Sequence, residues 1–202
     1  MIAIVDYGVG NLFSLESSFK KVGAEIVVTS DRAVIESAEK IILPGVGAFA
    51  DAAKKLRDSG LGEVVREQVE KGKPVMGICL GMQMLFERSY EYGCHEGLGL
   101  LKGSVVPMKG YIDEKLKIPH IGWNALRFVR DNPLFKYIKE GDFVYFVHSY
   151  FVSGCEDSLT ADTEYGEYLT ATVAKDNVYG CQFHPEKSGE VGLNILRAFC
   201  EL

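Results

Sequence analysis

Short apolar runs alternate with amphipathic segments over the first 90 residues, and this alternation constrains the fold more than any other feature. The runs IAIV, IIL and PVMGI are continuously apolar, which is typical of parallel strands covered on both faces. Segment 11–23 has helical spacing, with Asn11 suited to the N-cap and Gly23 to the position after the helix. Strands separated by helices predict right-handed βαβ units and a parallel sheet.

The pattern changes after about residue 98, where strand-like segments follow one another with few helices between them. They are LKGSVVPMK, WNALRFV, FVYFVHSYFV, YLTATVAK and NVYGCQFH, and a helix at 189–202 closes the chain. We therefore expect an α/β fold with a mostly parallel central sheet, helices on both faces and an added antiparallel portion in the C-terminal half. The sequence contains no repeat and no linker, so we expect residues 1–202 to form a single domain.

Charge and cysteine usage narrow the class of protein. The net charge is −6, whereas a nucleic-acid-binding domain usually presents a basic face. The five cysteines are irregularly spaced and lack a CxxC pair, which disfavours a disulfide framework and a zinc site. No apolar run approaches the length of a membrane span, and the N-terminus lacks the features of a signal peptide. We expect a reduced, soluble, cytoplasmic protein that binds no metal, nucleic acid or membrane.

Cys79 stands between two glycines in the segment GICLG, residues 77–81, where a predicted strand meets a predicted helix. A sharp strand-to-helix turn that carries a nucleophile needs small residues two positions before and after it. The turn would present the sulfur at the carboxyl edge of the sheet, where α/β proteins bind ligands. A buried core cysteine in a glycine-rich turn is the alternative interpretation.

A second candidate group lies in the segment YGCQFHPEKS, residues 179–188. Pro185 favours an extended conformation at His184, and in an extended segment His184 and Glu186 would share a face. Cys79, His184 and Glu186 then predict a nucleophile, a base and the carboxylate that orients the base. A surface histidine beside an exposed glutamate is the alternative. A zinc site with Cys181 is disfavoured because the odd separation places Cys181 and His184 on opposite faces.

The segment LPGVG, residues 43–47, ends another predicted strand. Backbone N–H groups there, with Val46 as the candidate, could complete an oxyanion hole with the N–H of Leu80. We expect Gly45 and Gly47 to permit a peptide flip that turns the Val46 N–H towards the oxyanion. An ordinary Pro-Gly turn would have the same sequence.

The segment DYGVGNLF, residues 6–13, resembles part of a dinucleotide-binding fingerprint. It follows a strand and contains two of the three glycines, but Phe13 occupies the third position. The incomplete GxGxxG pattern disfavours a nucleotide cofactor.

The segments GICLGMQ and HPE together resemble the class I, triad-type glutamine amidotransferases. Three further segments, DYGVGN, PHIGWN and YFVHSY ahead of QFHPEKS, are similar to the glutaminase subunits of imidazole glycerol phosphate synthases, which act in histidine biosynthesis. The resemblance covers essentially the whole chain.

This resemblance implies a flavodoxin-like fold, a glutaminase activity and no cofactor. Cys79 would attack the glutamine carboxamide, His184 would carry protons and Glu186 would hold His184. Residues that match substrate-binding positions of the family are Gly47, Gln83, Ser149 and Tyr150. Ammonia would pass to a cyclase subunit, a (β/α)8 barrel, which we expect to be a separate protein that forms a heterodimer with this chain.

The resemblance also makes Asn11, Trp123 and Lys187 candidates for the interface with the cyclase. By residue type alone, Trp123 would be a core tryptophan and Lys187 a solvated lysine.

Other functions remain open at this point. A glutaminase of another synthase, such as those that make pyridoxal phosphate or anthranilate, would share the triad. A non-catalytic regulatory module on the same fold would be expected to have a broken triad, whereas all three residues are present here. A cysteine peptidase would use the same nucleophile on a different substrate.

Overall fold

A computed structural model describes residues 1–202, with six α-helices and fourteen β-strands. The helices are α1 (Leu12–Lys21), α2 (Arg32–Ser37), α3 (Phe49–Asp58), α4 (Leu61–Glu70), α5 (Leu80–Met84) and α6 (Gly189–Cys200). The first seven strands are β1 (Ile2–Val5), β2 (Ile26–Thr29), β3 (Lys40–Leu43), β4 (Val75–Ile78), β5 (Phe86–Ser89), β6 (His95–Glu96) and β7 (Leu101–Pro107). The other seven are β8 (His120–Ala125), β9 (Arg127–Phe128), β10 (Phe143–His148), β11 (Tyr150–Ser153), β12 (Leu159–Tyr165), β13 (Glu167–Lys175) and β14 (Val178–Cys181).

An eight-stranded sheet forms the centre of the molecule, in the order β2-β1-β3-β4-β14-β13-β12-β9. The first five strands in this order run parallel, and the remaining three continue the sheet in antiparallel pairs. The predicted parallel sheet with an antiparallel portion from the C-terminal half is therefore confirmed. Two smaller sheets flank it, the pair β10-β8 and the four-stranded sheet β11-β7-β5-β6.

Helices cover both faces of the central sheet. Alternate residues of the strands belong to two separate apolar clusters, as Ala3 and Ile2 illustrate. One cluster includes residues of α3 and α4, and the other includes residues of α1 and α6. The strands are buried on both sides, which explains why their sequences are continuously apolar. None of the helices is long and apolar enough to span a bilayer.

The structure differs from the predicted elements in several places. The helix expected after Cys79 ends at Met84, and residues 86–89 form β5, because they pair with β6 and β7. The segment 143–152 is divided at Ser149 into β10 and β11, which belong to different sheets. The sequence patterns also did not indicate α2 or β12. Pairing with distant strands outweighs local propensity in each of these strands.

Candidate active site

Cys79 lies between β4 and α5 in a backbone conformation that side chains rarely adopt, with φ 54° and ψ −113°. A Cβ added to Gly77 would lie 2.6 Å from the carbonyl oxygen of Gly81. A Cβ added to Gly81 would lie 1.9 Å from the carbonyl oxygen of Leu43 on β3. Both glycines are therefore required by close backbone approach, as the sequence predicted, and the surrounding packing holds the strained turn.

His184 and Glu186 lie together after β14, with His184 Nδ1 2.8 Å from Glu186 Oε1. His184 itself is extended, but Glu186 belongs to a 3₁₀ turn over Pro185–Lys187. The expectation of one extended segment was therefore wrong, because a tight turn makes the contact instead. Tyr145 on β10 holds this turn, since its carbonyl accepts from the His184 N–H at 3.0 Å and its N–H donates to Ser188 Oγ at 2.9 Å.

The charge environment of His184 favours the imidazolium. Burial lowers the pKa of His184, but the hydrogen bonds and negative charges of Cys79 and Glu186 outweigh it and raise that pKa to about 10. The Glu186 side chain is only 1% exposed, and a buried carboxylate is costly unless a positive group pairs with it. The second carboxylate oxygen, Oε2, has no hydrogen-bond partner, so His184 is the partner that stabilises this charge.

The loop 44–47 follows β3 and lies beside the start of α5. Gly47 has a positive φ of 93°, whereas Gly45 does not. A Cβ on Gly45 would instead lie 2.6 Å from the Gly81 nitrogen and 2.9 Å from Leu80 Cβ. The expected backbone freedom is therefore present at Gly47 only, and Gly45 is required by close packing against α5. The Tyr7 hydroxyl fixes the start of this loop by donating to the Pro44 carbonyl at 2.7 Å.

A cavity of about 760 Å³ opens at the carboxyl edge of the sheet, next to Cys79. The residues singled out from the sequence that line it are Val46, Gly47, Cys79, Leu80, Gln83, Ser149, Tyr150, His184 and Lys187. Glu186 lies behind His184. Asn11 and Trp123 do not line the cavity: Asn11 caps α1 by accepting from the Ser14 N–H, and Trp123 is a half-exposed residue on β8 that packs edge-on against Tyr145.

The structure adds cavity residues that sequence reasoning missed, among them Glu91, Tyr92, Lys109 and His148. Glu91 Oε2 accepts from the Phe49 N–H at 2.7 Å, so it caps α3 directly after the loop 44–47. Its carboxylate gives the cavity an acceptor suited to an ammonium group. No local signal marks Glu91, because its partner lies 42 residues away in the sequence.

Two hydrogen bonds that the sequence did not predict fix the side chain of Gln83. Its Nε2 donates to the Tyr150 carbonyl at 3.1 Å and to Gln182 Oε1 at 3.0 Å. Neither hydrogen bond uses the side-chain oxygen of Gln83, which is available as an acceptor at the cavity. Gln182 is fully buried and was also missed from the sequence.

A nucleophilic sulfur, a histidine next to it and a carboxylate behind that histidine can carry out acyl transfer through a covalent intermediate. The family model for class-I glutamine amidotransferases matches residues 3–201. The chain belongs to the class-I glutamine amidotransferase family. The family agrees with the resemblance on which the sequence prediction was based.

Curated relatives match over nearly their whole length. The chain is 54% identical over 204 residues to "Imidazole glycerol phosphate synthase subunit HisH" of Caldanaerobacter subterraneus subsp. tengcongensis, covering 100% of this chain and 98% of the relative. The protein of the same name from Aquifex aeolicus is 50% identical over 198 residues, covering 97% of this chain and 94% of the relative.

Solved structures show the same fold at lower identity. A structure described as "Crystal structure of glutamine amidotransferase" superposes with a TM-score of 0.77 at 18% identity, covering 100% of this chain and 99% of the other. The "Structure of PurLQS from Thermotoga maritima" superposes with a TM-score of 0.75 at 21% identity, covering 99% and 97%. The predicted flavodoxin-like amidotransferase fold is therefore confirmed.

Proposed function

We propose that this chain is the glutaminase subunit of imidazole glycerol phosphate synthase, and that residues 1–202 form its single amidotransferase domain. It hydrolyses glutamine to glutamate and ammonia and passes the ammonia to a cyclase subunit. One observation carries the hydrolysis: the strained Cys79 turn and the His184–Glu186 pair meet at one cavity. The relatives at about half identity over the full length support the choice of synthase.

The reaction begins with attack of the Cys79 sulfur on the carboxamide carbon of glutamine. The carbonyl electron pair moves onto oxygen, where the N–H groups of Leu80 and Val46 are our candidates to stabilise it. His184 donates its proton to the amide nitrogen as the C–N bond breaks, so ammonia leaves and a thioester remains. His184 then takes a proton from water, which attacks the thioester, and the C–S bond breaks to release glutamate.

The cavity walls suit the rest of the glutamine molecule. We assign substrate binding to Gly47, Gln83, Ser149 and Tyr150, which line the cavity beside Cys79. The Glu91 carboxylate is placed to take the α-ammonium group, because it lines the cavity and forms no ion pair with a cation of the protein. Gln83 Oε1 supplies a further acceptor.

We further propose that the chain forms a heterodimer with a cyclase subunit built as a (β/α)8 barrel. Ammonia must not escape into water, so the cavity mouth should open into the partner. Lys187 lies at the cavity and Trp123 exposes about half of its surface, and half-exposed aromatic residues are typical anchors of interfaces. We include Asn11, the N-cap of α1, in the candidate interface.

Replacement of Cys79 by Ala tests the proposed function. The variant should lose glutamine hydrolysis, because the site has no other group to form the thioester. Synthesis from free ammonia by the complex with the cyclase should remain, since that reaction does not need the sulfur. Release of glutamate from Cys79→Ala at the wild-type rate would contradict the assignment.

The choice of synthase is tested by copurification with the cyclase subunit and by glutaminase assays with and without the acceptor nucleotide. Stimulation by the acceptor of imidazole glycerol phosphate synthase is the expected result. Stimulation only by the acceptor of pyridoxal phosphate or anthranilate synthesis would reject it.

A further inference from the structure

A row of side-chain amides connects a backbone carbonyl to the sulfur of the nucleophile. Gln83 Nε2 bridges the Tyr150 carbonyl oxygen, at 3.1 Å, and Gln182 Oε1, at 3.0 Å. Gln182 Nε2 lies 3.7 Å from Cys79 Sγ, a distance typical of hydrogen bonds to the larger sulfur atom. Both glutamines are buried, so their amides are held by these partners.

The direction of the row is fixed at the Tyr150 end. A carbonyl oxygen can only accept, so the atom of Gln83 that faces it must be the N–H-bearing Nε2. The same nitrogen faces Gln182, whose nearer atom must therefore be the acceptor Oε1. The other end of the Gln182 amide, with its N–H groups, then points at Cys79. The Tyr150 carbonyl is held in turn by His148 Nδ1 at 2.9 Å.

We propose that Gln182 is a catalytic residue that stabilises the Cys79 thiolate by donating a side-chain N–H to the sulfur. A donor favours the charged form of its acceptor over the neutral form. Burial strengthens the preference, because the interaction is less screened than it would be in water. Gln83 is the positioning residue, since it sets which end of the Gln182 amide faces the sulfur.

The same N–H acts at two steps of the proposed glutaminase reaction, on which this part of the inference rests. Before attack it increases the fraction of Cys79 present as thiolate. During hydrolysis of the thioester, water adds to the carbonyl carbon and gives its proton to His184. The C–S bond then breaks, its electron pair moves to the sulfur, and the charge forms beside the Gln182 N–H and the protonated His184.

Replacement of Gln182 by Met tests the inference. Met has a similar volume but no N–H donor, so the variant separates the hydrogen bond from the packing. The measurement is the rate of Cys79 alkylation by iodoacetamide against pH in the full chain. The peptide that contains Cys79 is followed by mass spectrometry, because the exposed Cys94 would also be alkylated.

We expect the midpoint of the pH–rate curve in Gln182→Met to move upward by about one pH unit, the size that corresponds to one charge-assisted hydrogen bond. Gln182→Glu should move it further, because its carboxylate would accept from Gln83 and turn its second oxygen towards the sulfur. The matched control is Gln68→Met on α4, also a buried glutamine, which should leave the midpoint unchanged.

Gln83→Met gives a second test that keeps Gln182 in place. Loss of the orienting donor lets the Gln182 amide turn, so the midpoint should move upward by less than in Gln182→Met. This variant decides the matter if the Gln182 variants do not fold. Folded Gln182 or Gln83 variants with the wild-type midpoint would overturn the inference.

The alkylation assay needs neither glutamine nor cyclase, so it separates this inference from the proposed function. A shifted midpoint in a chain whose wild type hydrolyses no glutamine would reject the function and retain the Gln182 hydrogen bond. An unshifted midpoint in an active glutaminase would reject the Gln182 hydrogen bond and retain the function.

Discussion

Two buried histidines line the same cavity, and their surroundings favour opposite charge states. His184 is 3% exposed and has Glu186 at 2.8 Å, whereas His148 is 6% exposed and has His120 at 3.1 Å. Cys79 and Glu186 outweigh burial and raise the pKa of His184 to about 10. Burial, with the repulsion of His120 and His184, lowers the pKa of His148 to about 3. Burial acts in the same direction on both rings, so the charge of the neighbour decides the outcome.

The His120–His148 pair stays neutral although its contacts would suit an extra proton. His148 Nδ1 faces the Tyr150 carbonyl at 2.9 Å, and His120 Nε2 faces Asn124 Oδ1 at 2.8 Å. The Asn124 orientation follows from its Nδ2, which donates to the Glu164 carbonyl. The two rings make three polar contacts: one with each other, one with Tyr150 and one with Asn124. Two neutral imidazoles carry only two N–H groups, so one of the three contacts lacks a hydrogen. Without a carboxylate, the pair does not hold the charge, and the imidazolium is confined to His184.

The same substitution at the two histidines should give the largest difference. His184→Gln removes the proton carrier, and we expect glutaminase activity to fall by roughly 10⁴–10⁶, as for the base of other hydrolytic triads. His148→Gln removes one hydrogen bond to the Tyr150 carbonyl and should cost about tenfold or less. Steady-state kinetics of the complex with the cyclase measure both. Losses of equal size would contradict the functional distinction between the two histidines.

Glu186→Gln removes the carboxylate beside His184. The neutral amide can still hold the ring but stabilises the imidazolium less, so the loss of activity should be about a hundredfold smaller than for His184→Gln. The pKa of His184 should fall at the same time, and NMR titration of the imidazole measures this change. A His184 pKa that stays where it is in the wild type would show that Glu186 does not set the charge.

His148 should make the folded state sensitive to acid. Its pKa is about 3 in the folded protein and about 6.5 in the unfolded chain. The stability it contributes is therefore present above pH 6.5 and is lost as the pH falls towards 3. The slope contributed by this one proton is at most about 1.4 kcal/mol per pH unit.

Urea unfolding of the wild type and of His148→Gln between pH 6 and pH 4 tests this effect. The free energy of unfolding of the variant should fall less steeply with decreasing pH. His95→Gln, outside the cavity, provides the matched control. Parallel curves for the wild type and His148→Gln would contradict the low pKa.

Asn124→Asp places a carboxylate beside the His120–His148 pair, which has none in the wild type. It should have the smallest effect of these changes. A carboxylate next to His120 Nε2 should raise the pKa of the pair by about one to three units. NMR titration of His120 and His148 measures the shift, with Asn177→Asp as the control at another half-buried amide. A pair that titrates as in the wild type would mean that burial alone sets its charge.

The sequence predicted those parts of the fold and of the site that depend on neighbours in the chain. The Asn11 cap and the positive φ of Gly23 both lie where the α1 pattern placed them. The Cys79 turn was also recognisable, because the need for Gly77 and Gly81 arises within five residues. His184 and Glu186 were paired correctly by their separation, although the turn between them differs from the expected strand.

The contacts that were missed join residues far apart in the chain. The Cys79–Gln182 contact spans 103 residues and the His120–His148 contact 28. Neither Gln182 nor His148 belongs to a local pattern that indicates its partner. Likewise, residues 86–89 form a strand only because β6 and β7 lie beside them, and no local propensity specifies that pairing.

The most direct test of the account is an NMR titration of the imidazole groups in the wild-type chain. A protonated His184 between Cys79 and Glu186, beside a neutral His148, is the central feature of the site. We predict that His184 remains protonated through neutral pH and titrates near pH 10, while His148 stays neutral down to about pH 3. A His184 that loses its proton below pH 6.5, or a His148 that is protonated at neutral pH, would contradict it.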